Sequence, residues 1–220
     1  MSDPITVDVV SDIVCPWCFL GKRRLDMAVA SVAPQLVEVR WRPFQLDPSI
    51  PKGGVPRQAY LEAKFGSTGR LADLHKPLVA AGERDGIAYA FDRITITPNS
   101  LDAHRLIRWS HAHNLQSAMA ERLFSLYWLE GADIGNRDVL VKAAVDVGLD
   151  GVLVAQLLQS EADLDAVIAE VNQASELGIT GVPTFIIANR FAVVGAQSSD
   201  VLRSAIMRGG LEARSPSQAT

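Results

Sequence analysis

The strand signals of this chain lie at its two ends, and the long stretch between them reads as helix. That arrangement limits the fold more than any single motif. Residues 5–10 (ITVDVV) are rich in β-branched side chains and read as a buried strand. Pro16 suits the first turn of a helix, because its φ is already helical and it needs no amide partner there. The helix continues through FLGKRRLDMAVASV and ends before Pro34, and residues 36–44 (LVEVRWRPF) alternate as a second strand. β signals return at TFIIA, residues 184–188, and FAVV, residues 191–194, flanking a tight Asn189-Arg190 connection that reads as a hairpin. A last helix starts near Ser198-Ser199-Asp200 and carries Val201, Leu202, Ala205 and Ile206 on its apolar side.

Between these ends, residues 45–57 hold prolines at 48, 51 and 56 and the pair Gly53-Gly54, which predicts an irregular loop. From 58 to 176 the signals are almost all helical. The clearest is the stripe Leu164, Val167, Ile168 and Val171; Gly131, Gly135, Gly148 and Gly151 mark breaks, and Pro77 should kink or divide its helix. The expected organisation is an α/β thioredoxin-like domain in two parts, 1–57 and 177–212, with a large all-helical insertion domain at 58–176 and a disordered tail at 213–220.

The net charge of −4 argues against nucleic acid or an anionic membrane as partner. The compact run Lys22-Arg23-Arg24 is too short to change this and reads as a solvated helix face. The N-terminus lacks the basic segment and long apolar core of a leader, and no run of about 18 apolar residues occurs. A cytoplasmic location is therefore expected, where permanent structural disulfides are rare.

That expectation bears on the only two cysteines, Cys15 and Cys18, separated by Pro16 and Trp17. A thiol at a helix N-terminus is stabilised as thiolate by unpaired amides and the positive end of the helix dipole. Cys18 lies one turn further in, close enough to attack a mixed disulfide formed by Cys15, while Trp17 is placed to cover the sulfurs or meet a partner. Zinc would need two more ligands; no second Cys-x-x-Cys exists, and the histidines at 75, 104, 111 and 113 are distant, so no metal is expected. A second feature lies far away: GITGVPTFII, residues 178–187, puts Val182-Pro183 directly before a strand, where proline cannot donate to the ladder.

Together, SDIVCPWCFLGKRRL, PNSLDAHRLIRW and GITGVPTFIIANRFAVVGAQ resemble the thioredoxin-fold DsbA family, nearest its FrnE-like branch. That branch is similar to 2-hydroxychromene-2-carboxylate isomerases and kappa-class glutathione transferases. The resemblance implies a cis Val182-Pro183 peptide facing Cys15, with Cys15 the attacking and Cys18 the resolving thiol. It further implies that Pro183 belongs to the catalytic set, and that Pro16, Trp17 and the Val182 backbone meet an extended substrate or glutathione. Asn99 and His104 match the family's PN-x-x-x-A-H pattern, which lines the substrate cleft in isomerase-like relatives. Read from the residues alone, Asn99 caps a helix and His104 is a hydrogen-bonded packing residue. Trp41 and Trp109 read as packing residues.

The isomerase and transferase relatives carry serine at the attacking position, whereas this chain keeps both cysteines. It also reads Gly195-Ala196-Gln197 where kappa-type relatives hold the glutathione γ-glutamyl group with a GSD-like motif. The leading expectation is a thiol–disulfide oxidoreductase that exchanges disulfides with protein or small-molecule dithiols. It needs no cofactor beyond glutathione as a candidate redox co-substrate. The rivals are a glutathione-assisted isomerase or transferase of a small organic molecule, and a redox-independent chaperone. A homodimer agrees with the resemblance, although no surface stripe in the sequence demonstrates one.

Overall fold

The computed structural model describes residues 3–66 and 68–214. Strand β1 (Ile5–Ser11) leads into helix α1 (Pro16–Ser31), and β2 (Val37–Pro43) returns parallel to β1, with Val9 opposite Trp41. After the helical stretch, β5 (Thr184–Ile187) and β6 (Phe191–Val194) complete a four-stranded sheet in the order β2-β1-β5-β6. Strand β5 runs antiparallel to β1 and β6 antiparallel to β5. Val7 and Phe185 are fully buried in the sheet, as their β-branched and aromatic neighbours predict. The last helix, α9 (Ser199–Arg214), packs beside α1 and places Leu202 and Ile206 in the core.

Between the two halves of the sheet come α2 (Arg57–Phe65), α3 (Thr68–Arg84), α4 (Leu101–Ser110), α5 (Gln116–Trp128), α6 (Arg137–Asp146), α7 (Gly151–Gln159) and α8 (Leu164–Glu176). Their starts follow the sequence chemistry. Asn136 accepts the Asp138 amide at 2.8 Å, and Asp150 accepts the amides of Val152 and Leu153, so each satisfies donors that the helix leaves free. Helix α4 buries Ala103, Leu106 and Ile107, and α5 buries Met119, Leu123, Phe124 and Tyr127. These side chains join those of the sheet in one core, with Phe19 of α1 stacked on Phe124 of α5.

The structure departs from the sequence reading in several places. Loop 45–57 contains β3 (Val55–Pro56), which pairs with β4 (Ile96–Thr97) inside the helical stretch. Two-residue strands formed by distant partners leave no periodic signal. Helix α3 runs through Pro77 without dividing. In α8 the buried side is Val167, Val171 and Ala174, and Ile168 is exposed. The hairpin connection spans three residues, 188–190, with Ala188 and Asn189 in the left-handed region. Residues 213 and 214, expected in the disordered tail, end α9; the rest of that tail, 215–220, lies outside the described residues.

Candidate active site

Cys15 is the N-cap of α1, with extended backbone, and Pro16 follows it at the first helical position. The sheet brings the distant Val-Pro segment to this point. Because β5 is antiparallel to β1 with Thr184 opposite Val10, the residues preceding β5 fall beside those following β1. The Cys15 thiol accordingly lies 3.7 Å from the Val182 carbonyl, 167 positions away in sequence. The Val182-Pro183 peptide is cis, as the resemblance implied; Ala33-Pro34 is also cis and was not anticipated.

The close packing of α1 on this segment depends on Gly21. A Cβ there would stand 2.7 Å from Pro183 Cγ and 3.1 Å from the Phe185 ring, so any larger residue pushes the helix away from the Val-Pro turn. Sequence reasoning missed this glycine, since an isolated glycine in a helical pattern looks neutral.

Both thiols are buried: Cys15 is 4% exposed at the mouth of the helix, beside the exposed residue Trp17, and Cys18 is 1% exposed one turn further in. Burial, then the hydrogen bond to Cys15 and the charge of Cys15, push the Cys18 thiol well above its ordinary range. The Ser11 hydroxyl and the Asp12 amide pull the other way with less effect. Cys18 therefore keeps its proton, while Cys15 is the cap at the N-terminal end of α1.

The main chain around Cys15 is held on two sides. On one side Trp128 donates from Nε1 to the Ile13 carbonyl at 2.8 Å, and the Tyr89 hydroxyl donates to the Pro16 carbonyl at 2.8 Å. On the other lies Asp12, 1% exposed, whose carboxylate accepts the Leu46 amide at 2.8 Å and the Val14 amide at 3.4 Å. His104 Nε2 stands 3.5 Å from that carboxylate and 3.0 Å from the Phe44 carbonyl. Asn99 accepts the Leu101 amide at the start of α4 and donates to the Ile50 carbonyl at 2.7 Å. Both residues thus bond main chain; His104 is the hydrogen-bonded packing residue expected, whereas the cap of α4 is Ser100 and Asn99, expected there, lies one residue before it. Sequence reasoning missed Asp12, Tyr89 and Trp128; the only available hint was the apolar-aromatic alternation at Tyr89 and Phe91.

The basic run is not a solvated face. Lys22 is buried against Asp26 and Glu121 at 2.6 and 2.9 Å, Arg23 pairs with Glu121 at 2.6 Å, and Arg24 bonds Asp85 and the Ala196 carbonyl, both at 2.6 Å. The partners at 85, 121 and 196 are remote in sequence, so local reading could not find them. Trp41 is buried with its Nε1 on Ser117, and Trp109 bonds Asp163. A cleft of about 700 Å³ opens between β2 and helices α4, α7 and α8. Arg42, His104, Ile107, Trp109, Leu157 and Val167 contribute to its walls, and it reaches Ser11 and Ile13. Among the described residues, no group of three or more His, Cys, Asp or Glu is placed to hold a metal, and no helix is long and apolar enough to cross a membrane.

A thioredoxin-type sheet with a helical stretch between its halves, and two cysteines at the mouth of its first helix facing a Val-Pro turn, defines a dithiol protein of the thioredoxin class. Residues 6–207 match the DSBA-like thioredoxin domain, and the chain belongs to that family. It is 32% identical to a probable DsbA oxidoreductase from Streptomyces coelicolor, whose crystal structure superposes with a TM-score of 0.86 over 98% of this chain and 94% of that one. It is 29% identical over 207 residues to the uncharacterized protein YwbO of Bacillus subtilis, covering 92% of this chain and 96% of that relative. At lower identity the fold alone is shared. A 2-hydroxychromene-2-carboxylate isomerase has TM-score 0.72 at 19% identity, covering 95% of this chain and 98% of that one. The cytosolic disulfide reductase DsbM from Pseudomonas aeruginosa, solved with GSH, has TM-score 0.64 at 21% identity, covering 95% and 98%.

Proposed function

We propose that the chain exchanges disulfides through the Cys15–Cys18 pair. The observation that carries the reading is the asymmetry of the two thiols: Cys15 at the helix mouth on the Val182 carbonyl, and Cys18 enclosed with its proton held. The Cys15 thiolate attacks one sulfur of a substrate disulfide; a Cys15–substrate bond forms, and the other substrate sulfur leaves as thiolate and takes a proton from solvent. Cys18 then gives up its proton and attacks Cys15 Sγ. The intramolecular disulfide forms and the second substrate thiolate departs, so two electrons have passed from the pair to the substrate. The reverse sequence oxidises a dithiol. Pro16 and Trp17 frame the sulfur, and the Val182 backbone pairs with an extended substrate segment while Pro183 seats that turn on Gly21. Asn99 and His104 enter as residues that hold the surrounding main chain.

Glutathione is the redox co-substrate under this reading, in support of which a disulfide reductase of the same fold was solved with GSH. Direction depends on the potential of the pair against a cytosolic poise of about −220 to −320 mV. The test is exchange between the protein and glutathione disulfide, followed by Trp17 fluorescence and thiol counting. Wild type should show a reversible two-electron transition, Cys15→Ser none, and Cys18→Ala should accumulate the mixed disulfide. Full exchange by Cys15→Ser would sink the proposal.

The cleft beside His104 favours a second reading, glutathione-assisted isomerisation or transfer on a small organic molecule. Turnover of such a molecule that survives Cys18→Ala would select it over dithiol exchange.

A further inference from the structure

Two side chains donate hydrogen bonds to the main-chain carbonyls that bracket Cys15, and both come from between the two halves of the sheet. Trp128 holds Ile13 before it and Tyr89 holds Pro16 after it. The Tyr89 ring is itself caged. It stacks on Phe91 at 5.1 Å and meets Trp128 edge-on at 5.9 Å and Phe19 of α1 at 6.1 Å. Such a cage leaves the hydroxyl little freedom to leave the Pro16 carbonyl.

That carbonyl has particular consequences. It forms one end of the Pro16–Trp17 peptide, whose other end is the Trp17 N–H. Proline has no N–H, so Trp17 supplies the first backbone donor of α1, at the end where Cys15 is the cap. A hydrogen bond accepted at a peptide oxygen withdraws density from the nitrogen and strengthens the N–H as a donor. In the thiol form Cys15 donates to Val182. Once ionised it has no proton to donate, and it becomes an acceptor for the free amides of the helix N-terminus.

We propose that Tyr89 is a positioning residue for the dithiol. Its hydroxyl orients and polarises the Pro16–Trp17 peptide toward the Cys15 sulfur, and so sets the reactivity of that thiol. The inference rests on the reading of Cys15 as the exchanging thiol. Tyr89 also remains a donor across the working range: burial, followed by negative charge on Cys15 and Cys18, pushes its hydroxyl upward.

The test uses the full chain with Tyr89→Phe, which keeps the ring and removes the hydroxyl. Alkylation of Cys15 by iodoacetamide near neutral pH should slow about three- to tenfold, and its pH profile should move to higher pH. The equilibrium constant with glutathione should shift by a similar factor toward the protein disulfide, because the reduced form loses stabilisation. A second variant, Gly82→Ala, reaches the same point from outside. Its Cβ would meet the Tyr89 ring at 2.6 Å and displace the hydroxyl without removing it, so it should move both readouts in the same direction.

Alkylation rate, profile and equilibrium all within twofold of wild type in Tyr89→Phe would overturn the proposal. So would slower alkylation with an unmoved profile, which denotes only altered access. If Tyr89→Phe fails to fold, Gly82→Ala decides by the same criteria. If wild type does not equilibrate with glutathione at all, the exchange reading fails, while the alkylation profile still decides the role of Tyr89.

Discussion

Two junctions tie the helical stretch to the loop that carries the cysteines, and they are made of opposite materials. The first is aromatic: Tyr89, Phe91, Trp128 and Phe19 pack together, and two of them donate to carbonyls on either side of Cys15. The second is polar: the Asp12 carboxylate gathers the amides of Val14 and Leu46 beside His104, while Asn99 fastens α4 to the segment through Gln45 and Ile50. Donors aimed at peptide carbonyls beside a sulfur act on that sulfur's electrostatics, because the peptide dipole carries their effect across. A buried carboxylate that collects amides from two loops acts mainly on whether those loops stay together. The aromatic junction should therefore govern reactivity and the polar one stability.

The largest effect expected from this division belongs to Asp12. Asp12→Ala takes the acceptor from the Leu46 and Val14 amides and removes the buried carboxylate beside His104. The folded state should lose about 2–4 kcal/mol. Urea unfolding of the reduced protein measures it. A loss below about 0.5 kcal/mol would mean that the polar junction does not hold the loops, and the contrast with the aromatic side would collapse.

The next test compares the buried thiol with an unfolded chain. Burial, then the hydrogen bond to Cys15 and its charge, raise the Cys18 thiol in the folded state. Above the unfolded thiol value of about 8.5, the unfolded chain has released a proton that the native protein still holds. Stability from this source is complete below that pH and is lost as pH rises through the folded value, at up to about 1.4 kcal/mol per pH unit. Reduced wild type should thus weaken between pH 8.5 and 10 more steeply than Cys18→Ala. Parallel slopes would mean that Cys18 is not held in its protonated form by the fold, and the asymmetry between the two thiols would lose its support.

How much of this was legible in the sequence differs between the junctions and the frame that carries them. The frame was readable because its cues are local. ITVDVV is rich in β-branched residues, Pro16 marks the first turn of a helix, and Ser198-Ser199-Asp200 mark the start of the last one. The meeting of Cys15 with Val182 depends on β5 lying antiparallel beside β1, which no local pattern encodes; only the joint occurrence of CPWC and GVPTF, seen as a family resemblance, pointed to it. Tyr89, Trp128 and Asp12 act mainly through partners 34 to 115 positions away, and none differs in kind from an ordinary core residue when read alone. Lys22, Arg23 and Arg24 were misread for the same reason. A charge run is normally solvated, and nothing near it in sequence announces Glu121, Asp85 or the Ala196 carbonyl. His104 was legible as a hydrogen-bonded packing residue, and Asn99 was read one residue off: it bonds the Leu101 amide, but the cap position belongs to Ser100.

The smallest expected effect is the most discriminating, because it separates the two junctions at a single residue. His104 stands on the polar side, bonds the Phe44 carbonyl, and contributes to the cleft wall. In His104→Gln the side-chain amide puts a donor nitrogen near the position of Nε2, so the bond to Phe44 can be kept while the ring is lost. The cost to stability should stay at about 1 kcal/mol, and the glutathione equilibrium should remain within twofold of wild type. Unfolding and redox titration of the same sample give both numbers. A shift of more than about fivefold in the equilibrium, a change worth about 1 kcal/mol, would show that the polar junction also reaches the sulfurs. The route would run through Asp12, whose carbonyl accepts the Cys15 amide at 3.0 Å and whose own amide is directed at Cys18. In that event reactivity and stability would share one scaffold, and Tyr89 would be one of two controls on the dithiol.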